Sequence, residues 1–265
     1  MSLHDTDMTL DPTAIEPDLE REARRLLSAI EREGLDARLI GGMAILLLAG
    51  PRLHPRFARE IQDLDFVITK KHRRGTEQLL TAAGYVPETQ FNALNGARRL
   101  LFFDETHGRQ IDVFVDRFEM CHELPLTERL TRLPQTLPAA EVLMTKLQIV
   151  QLNAKDRSDL YAILHSHEVA DHDEQAINLE RITALTAEDW GLQRTFEINL
   201  DRLSAALADA ALDDESRDVI AGRIEVLAAA IEAAPKSRRW KLRARVGERK
   251  RWYEEPEEVD RDRDG

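Results

Sequence analysis

Cysteine is almost absent: Cys121 stands alone in 265 residues, which excludes an internal disulfide framework and any cysteine-based metal cluster. Aromatic residues make up only 5% of the chain, so the core has to be assembled from Leu, Ile, Val and Ala. The longest apolar run, 43–49, falls far short of the roughly 20 residues a membrane-spanning helix needs. The opening MSLHDTDMTLDPTAIEPD lacks the basic-then-apolar order of a secretion signal. An excess of positive charge is missing too: 37 Lys and Arg against 49 Asp and Glu leave a net −12, which argues against a surface coated for nucleic acid. The expectation is a cytoplasmic protein without membrane contact.

What is present suffices for folding. A hydrophobic content of 43% with 32% charged residues is ordinary for a globular chain, and the length suits one large domain or two modest ones. Leu19, Ala23, Leu26, Leu27 and Ile30 recur at helical spacing after Pro17, and Gly34 ends the run. A short strand over 37–40, a Gly41-Gly42 break, a buried helix over 43–48 and the strand beginning near Asp63 follow. A helix over 71–83 and strands over 98–103 and 110–115, joined by the turn DETHGR, complete this part. Beyond Pro125, Pro134 and Pro138, helical periodicity takes over in segments 139–153, 156–166, 174–185, 188–209 and 214–233. The fold class expected is α+β: a small mixed sheet with flanking helices, then a helical C-terminal domain. The parts are a flexible lead-in (1–16), a sheet domain (17–125), a helical domain (126–235), a basic segment (236–253) and a disordered acidic tail (254–265).

The chemistry concentrates in EIQDLDFVIT, residues 60–69. Alternation along a strand sends Asp63 and Asp65 to one face, about 6–7 Å apart, and Leu64 to the other. Two ionised carboxylates at that distance repel, and burial makes this worse. A cation between them removes the conflict, and Mg2+ is the hard, oxygen-seeking choice. A third carboxylate on a neighbouring strand would complete a phosphoryl-transfer site. RQIDVFVD supplies Asp112 inside an apolar strand, with Asp116 at its exit as the weaker candidate. Gly41-Gly42, between a strand and a helix, lets backbone amides approach a phosphate.

In this order, Ile40-Gly41-Gly42, Asp63-Leu64-Asp65 and Asp112 resemble the DNA-polymerase-β-type nucleotidyltransferase superfamily. Arg59, four residues before the first Asp, matches an arginine common in one bacterial branch. LPAAEVLMTKLQIVQLNAKDRSDLYAIL resembles the AbiEii-type abortive-infection toxins through Lys146 and the Lys155-Asp156, Asp159-Leu160 signature; the likeness spans roughly 36–165. Met43, Ile61 and Asn153 stand where many members carry Ser or Thr, Ser or Thr, and Arg. The resemblance implies a nucleotidyltransferase moving NMP from an NTP to a hydroxyl acceptor, an RNA 3′ end such as that of tRNA or a protein side chain. It implies Mg2+ or Mn2+ on Asp63, Asp65 and Asp112, and nucleotide contacts from Gly41, Gly42, Arg59, Lys146, Lys155 and Asp156. It also implies the toxin of a pair neutralised by an antitoxin protein. The alternative is a catalytically weak nucleotide-binding or RNA-binding accessory protein on the same fold.

Residues 236–251 hold nine Lys and Arg against one Glu, with Trp240 inside and Trp252 just after, a composition that suits phosphates and stacked bases. The tail from 254 carries seven Asp and Glu against two Arg, and pairing between the two blocks is the competing expectation. His165, His167 and His172 match no zinc-ligand spacing and are expected in a solvated loop. Cys121 and His122, as chain neighbours, do not form a nucleophile–base pair.

Overall fold

The structure is a computed structural model that describes residues 15–255. The expected lead-in, up to residue 14, and the acidic tail from residue 256 lie outside the described residues. Helix α1 (Leu19–Arg32) starts where the Asp18 carboxylate accepts the Arg21 N–H at 2.8 Å, and buries Ala23, Leu26, Leu27 and Ile30. The chain then forms β1 (Ala37–Ile40), α2 (Gly41–Ala49), β2 (Asp63–Ile68), α3 (Arg73–Ala82), β3 (Val86–Pro87), α4 (Thr89–Asn95), β4 (Arg99–Asp104) and β5 (Arg109–Val115). The five strands lie in the order β1-β2-β5-β4-β3. β2 and β5 are parallel, and the other pairings are antiparallel. The mixed sheet and its long strands follow the sequence expectation. β3 and α4 were not expected: with only two and seven residues, neither carries a readable period.

A ribbon of β6 (Arg117–Glu119) and β7 (Glu123–Pro125) leads out of the sheet. Next come α5 (Ala139–Leu147), α6 (Ala154–Ser166), β8 (Glu168–Ala170), β9 (Ala176–Asn178), α7 (Leu179–Glu188), α8 (Trp190–Leu207), α9 (Asp214–Ala233) and α10 (Arg238–Ala244). Two helical expectations need correction. The helix expected over 139–153 ends at Leu147, and α6 begins afresh at a capping box in which Asn153 and Asp156 satisfy each other's backbone N–H groups. The segment expected as helix from 174 opens as β9, paired in parallel with β8; helix starts only after Asn178, whose side chain caps α7. The expectation of a solvated histidine loop is also corrected at two positions: His165 lies within α6 with its Nδ1 shut from solvent, and His167 is buried with its Nδ1 2.9 Å from the Ser166 hydroxyl.

Buried apolar side chains from both halves form one continuous cluster, running from Leu64, Phe66 and Val113 through Val142, Leu143 and Leu160 to Phe196 and Leu227. α2 packs against the sheet on one side and against α5 and α6 on the other. The β1 edge is tied to the connecting segment by Leu39, which donates to the Gln135 carbonyl at 2.9 Å and accepts from Leu137 at 3.1 Å. Leu64 is the anchor between the two aspartates: its side chain is 1% exposed, and burial of that size contributes about 2 kcal/mol. Among the described residues, no helix is long and apolar enough to cross a membrane.

Candidate functional site

The parallel register places Asp65 directly beside Asp112, with Asp63 opposite Gln110. In the antiparallel pairing on the other side, Asp65 faces Ile40, the last residue of β1. The chain turns there into α2 through Gly41 at φ 66°. A Cβ on Gly41 would lie 2.0 Å from the Asp65 Oδ2 and 2.9 Å from its Cγ. Glycine is therefore required twice, for the left-handed backbone and for the space the carboxylate fills. α2 begins without a side-chain cap, so its first N–H groups, the positive end of the helix dipole, remain beside Asp65.

The carboxylates differ in how they are satisfied. Asp112 is buried and fully engaged: Arg99 Nε donates to Oδ1 at 2.6 Å and Gln110 Nε2 to Oδ2 at 2.7 Å. The Arg99 guanidinium is itself held over the rings of Phe91 and Phe114, at 5.7 and 5.3 Å. Every other buried carboxylate among the described residues also has a cation: Glu22 has Arg25, Asp104 has Arg109, Glu141 has Arg129, and Asp156 and Asp159 share Lys146. Asp65, half-buried, differs: no hydrogen bond or ion pair within the described residues reaches its carboxylate. Burial, followed by the charges of Asp63 and Asp112, pushes its carboxyl well above the usual carboxylate range; Lys146 and Arg99 pull it only partly back. Asp63 is exposed at the mouth of the strand.

The cations expected at the site are tethered to α6. Arg59 forms a two-pronged pair with Asp159, at 2.8 and 2.9 Å, and its guanidinium fills the space a Cβ on Gly42 would need, at 2.7 Å. Lys146 Nζ lies 3.1 Å from Asp156 and 3.2 Å from Asp159. Burial alone would lower its pKa, but Asp159, Asp156 and Asp65 outweigh that and hold it raised. Asp156 also accepts the Asn153 N–H in the capping box, at 3.3 Å. Lys155 is exposed, with its Nζ 3.5 Å from the side-chain oxygen of Gln62, the residue before Asp63. Asp116, at φ 63°, accepts the Lys70 N–H at 2.9 Å and shapes the exit turn of β5.

Thus Asp63, Asp65, Asp112, Gly41, Gly42, Arg59, Lys146 and Asp156 come together, and Lys155 reaches Gln62 at the entrance of β2. Arg99 and Gln110 were not expected. Gln110 shares a face with Asp112 by the two-residue period. The hairpin register, with Asp104 opposite Arg109 and Leu101 opposite Asp112, makes Arg99 the diagonal neighbour of Asp112. Among the described residues, no group of three or more His, Cys, Asp or Glu is gathered so that it could hold a metal ion, in keeping with the engagement of Asp112 by Arg99. Asp63 and Asp65, which lack hydrogen-bond donors, are the pair whose chemistry suits a divalent cation. No protein-family model matches this chain, and no curated protein matches it.

Proposed function

We propose that the chain is a Mg2+-dependent nucleotidyltransferase that moves NMP from an NTP to a hydroxyl acceptor, an RNA 3′ end or a protein side chain, and acts as the toxin of a toxin–antitoxin pair. The observation that carries this reading is Asp65: a carboxylate pressed against Gly41, beside two others, with no protein donor to offset its charge. Folding leaves that carboxyl without a donor and only partly offset by Lys146 and Arg99, and ionisation there, at an open strand end, is favoured by a bound cation.

In this reading Asp63 and Asp65 hold the metal, and the backbone of Gly41-Gly42 with the uncapped start of α2 receives the phosphates. Mg2+, when bound, neutralises phosphate charge and lowers the pKa of the attacking hydroxyl. Lys146, raised and cationic, supplies positive charge beside Asp65 for the departing pyrophosphate. Arg99 holds Asp112 neutralised before substrate arrives. A triphosphate offers that guanidinium a second anion, and Asp112 becomes available to accept the hydroxyl proton as Arg99 turns to it.

The test is incorporation from each of the four α-labelled NTPs, with Mg2+ and total RNA, alongside the protein fraction. Label enters RNA or protein, pyrophosphate is released, and both are lost in Asp63→Ala and Asp65→Ala. Absence of label from both fractions, or incorporation that survives Asp65→Ala, overturns the reading. The firm Arg99–Asp112 pairing favours one second reading, a nucleotide binder without turnover. That reading predicts Mg2+-dependent NTP binding with no pyrophosphate.

A further inference from the structure

A cavity of about 510 Å3 lies apart from the aspartates, between the start of α8, α10 and the segment that follows it. The chain contains three tryptophans, and all three, Trp190, Trp240 and Trp252, line this one cavity together with Tyr253. Their positions are fixed from behind. The Trp240 indole N–H donates to Gln193 at 3.0 Å, and the Trp252 indole N–H to Thr195 at 3.1 Å. Trp252 crosses Trp190 edge-on, with ring centres 6.1 Å apart. The terminal segment is seated by the Glu254 N–H on the Cys121 carbonyl at 3.0 Å, and it passes so close to Gly191 that a Cβ there would lie 2.7 Å from the Trp252 carbonyl.

Arginines share the walls. Arg243 lies 4.7 Å over the Trp190 ring, and Arg251 4.8 Å over Tyr253. Arg239, also lining the cavity, is exposed and has no partner among the described residues. Of the acidic residues of the rim, Glu119 pairs with Arg98 through one oxygen, Glu123 with Arg117, and Asp189 accepts the N–H groups of Gly191 and Leu192, while Glu188 and Glu254 have no cation among the described residues. Outside the rim runs the basic segment, with nine Lys and Arg against one Glu over 236–251.

Pre-oriented aromatic faces, an uncommitted guanidinium and a cationic approach are the elements that bind a base and its phosphate. We propose that this cavity captures an unpaired base of single-stranded RNA, with Arg239 on the adjoining phosphate and α10 tracking the strand. A smaller cavity of about 120 Å3 is lined by Glu119, Met120 and Glu254, which also line the larger one, and by Arg99, the partner of Asp112. The two cavities thus share part of their lining. The capture site itself does not depend on the carboxylates of the five-stranded sheet, none of which lines it.

Because every tryptophan lines the cavity, quenching of intrinsic fluorescence reads its occupancy. The full chain is titrated with decauridylate and with UMP, without Mg2+ or NTP, and labelled decauridylate is followed in parallel by anisotropy. Expected are saturable quenching by the decamer, weaker binding of UMP, and affinity that falls steeply with salt. Trp252→Ala weakens decamer binding about 5- to 100-fold. Arg239→Glu, at an exposed position, weakens it without disturbing the fold, whereas Arg32→Glu on α1 leaves it unchanged. Asp63→Asn with Asp65→Asn also leaves it unchanged, so failure of the catalytic reading and failure of this one are separable. Binding without quenching, binding indifferent to both Arg239→Glu and Trp252→Ala, or equal affinity for UMP and the decamer overturns the proposal.

Discussion

Asp65→Asn is expected to stabilise the protein while abolishing transfer activity. The substitution keeps volume and shape and removes one charge from a cluster in which Asp63, two residues away, and Asp112, its partner on β5, are both negative. Two unit charges about 7 Å apart repel by roughly 2 kcal/mol at an effective dielectric near 20. Lys146 and Arg99 attract the same carboxylate and offset part of this. Removing the charge should therefore gain about 1–2 kcal/mol, or roughly 2–8 °C in melting temperature for a chain of this size. The assay is thermal or urea unfolding of both proteins above neutral pH, without divalent cations.

The pH dependence of that gain follows from the raised pKa of Asp65. The folded wild type holds its proton more tightly than the unfolded chain, so this group's stabilising contribution is complete at low pH and is lost as pH rises through the folded value. The advantage of Asn should be small in acid, grow through that range and then level off. Added Mg2+ should narrow it, because binding stabilises only the protein that retains the ligand. A variant that is destabilised at high pH, or an advantage that does not change with pH, would refute the account of Asp65 as an uncompensated charge.

Gly41→Ala should destabilise by about 1–2 kcal/mol from its left-handed backbone alone and displace Asp65, whose Oδ2 stands 2.0 Å from the new Cβ. Gly42→Ala meets the end of the Arg59 side chain at 2.7 Å, with no left-handed backbone to strain, and should be milder; urea midpoints for the two variants test the order. His122 is buried with its pKa pushed down to about 4, so the folded state binds fewer protons than the unfolded state. Its contribution is present above the unfolded value, falls as pH drops from about 6.5 toward 4, and amounts to at most roughly 3 kcal/mol. His122→Gln should flatten that part of the stability profile; an unchanged slope between pH 7 and 5 (about the range in question) would remove His122 as its source.

Much of this architecture is written locally. α1 reads directly from its apolar spacing and its Asp18 cap, and β2 and β5 from apolar runs interrupted by Asp63 and Asp65 in one and Asp112 in the other. Gly41-Gly42 reads as a break between strand and helix, and the φ of Gly41 explains why. The β8–β9 pair was not legible, since three-residue strands carry no period and this parallel pair is stabilised by tertiary context. The pairing of Arg99 with Asp112 was hidden for another reason. A lone arginine in a strand is usually solvated, and only the hairpin register together with the rings of Phe91 and Phe114 turns it inward. Clustering of the three tryptophans is also beyond local pattern, because Trp190 lies some fifty residues from Trp240 and more than sixty from Trp252.

The helical half supplies a reason for Asp65 to remain uncompensated. A half-buried carboxylate without a partner invites the nearest cation to collapse onto it, and two are at hand, Arg59 and Lys146. Both are retained by α6: Arg59 by the fork to Asp159, and Lys146 by Asp156 and Asp159 together. Charge-assisted pairs with two oxygens are among the stronger side-chain contacts, so these cations stay on the helix and act on the strand carboxylates only through space. Asp156 and Asp159 thereby keep the mouth of β2 negative without touching it. Their removal would release Lys146 and Arg59 toward Asp63 and Asp65, replacing a place for a divalent cation with an internal salt bridge.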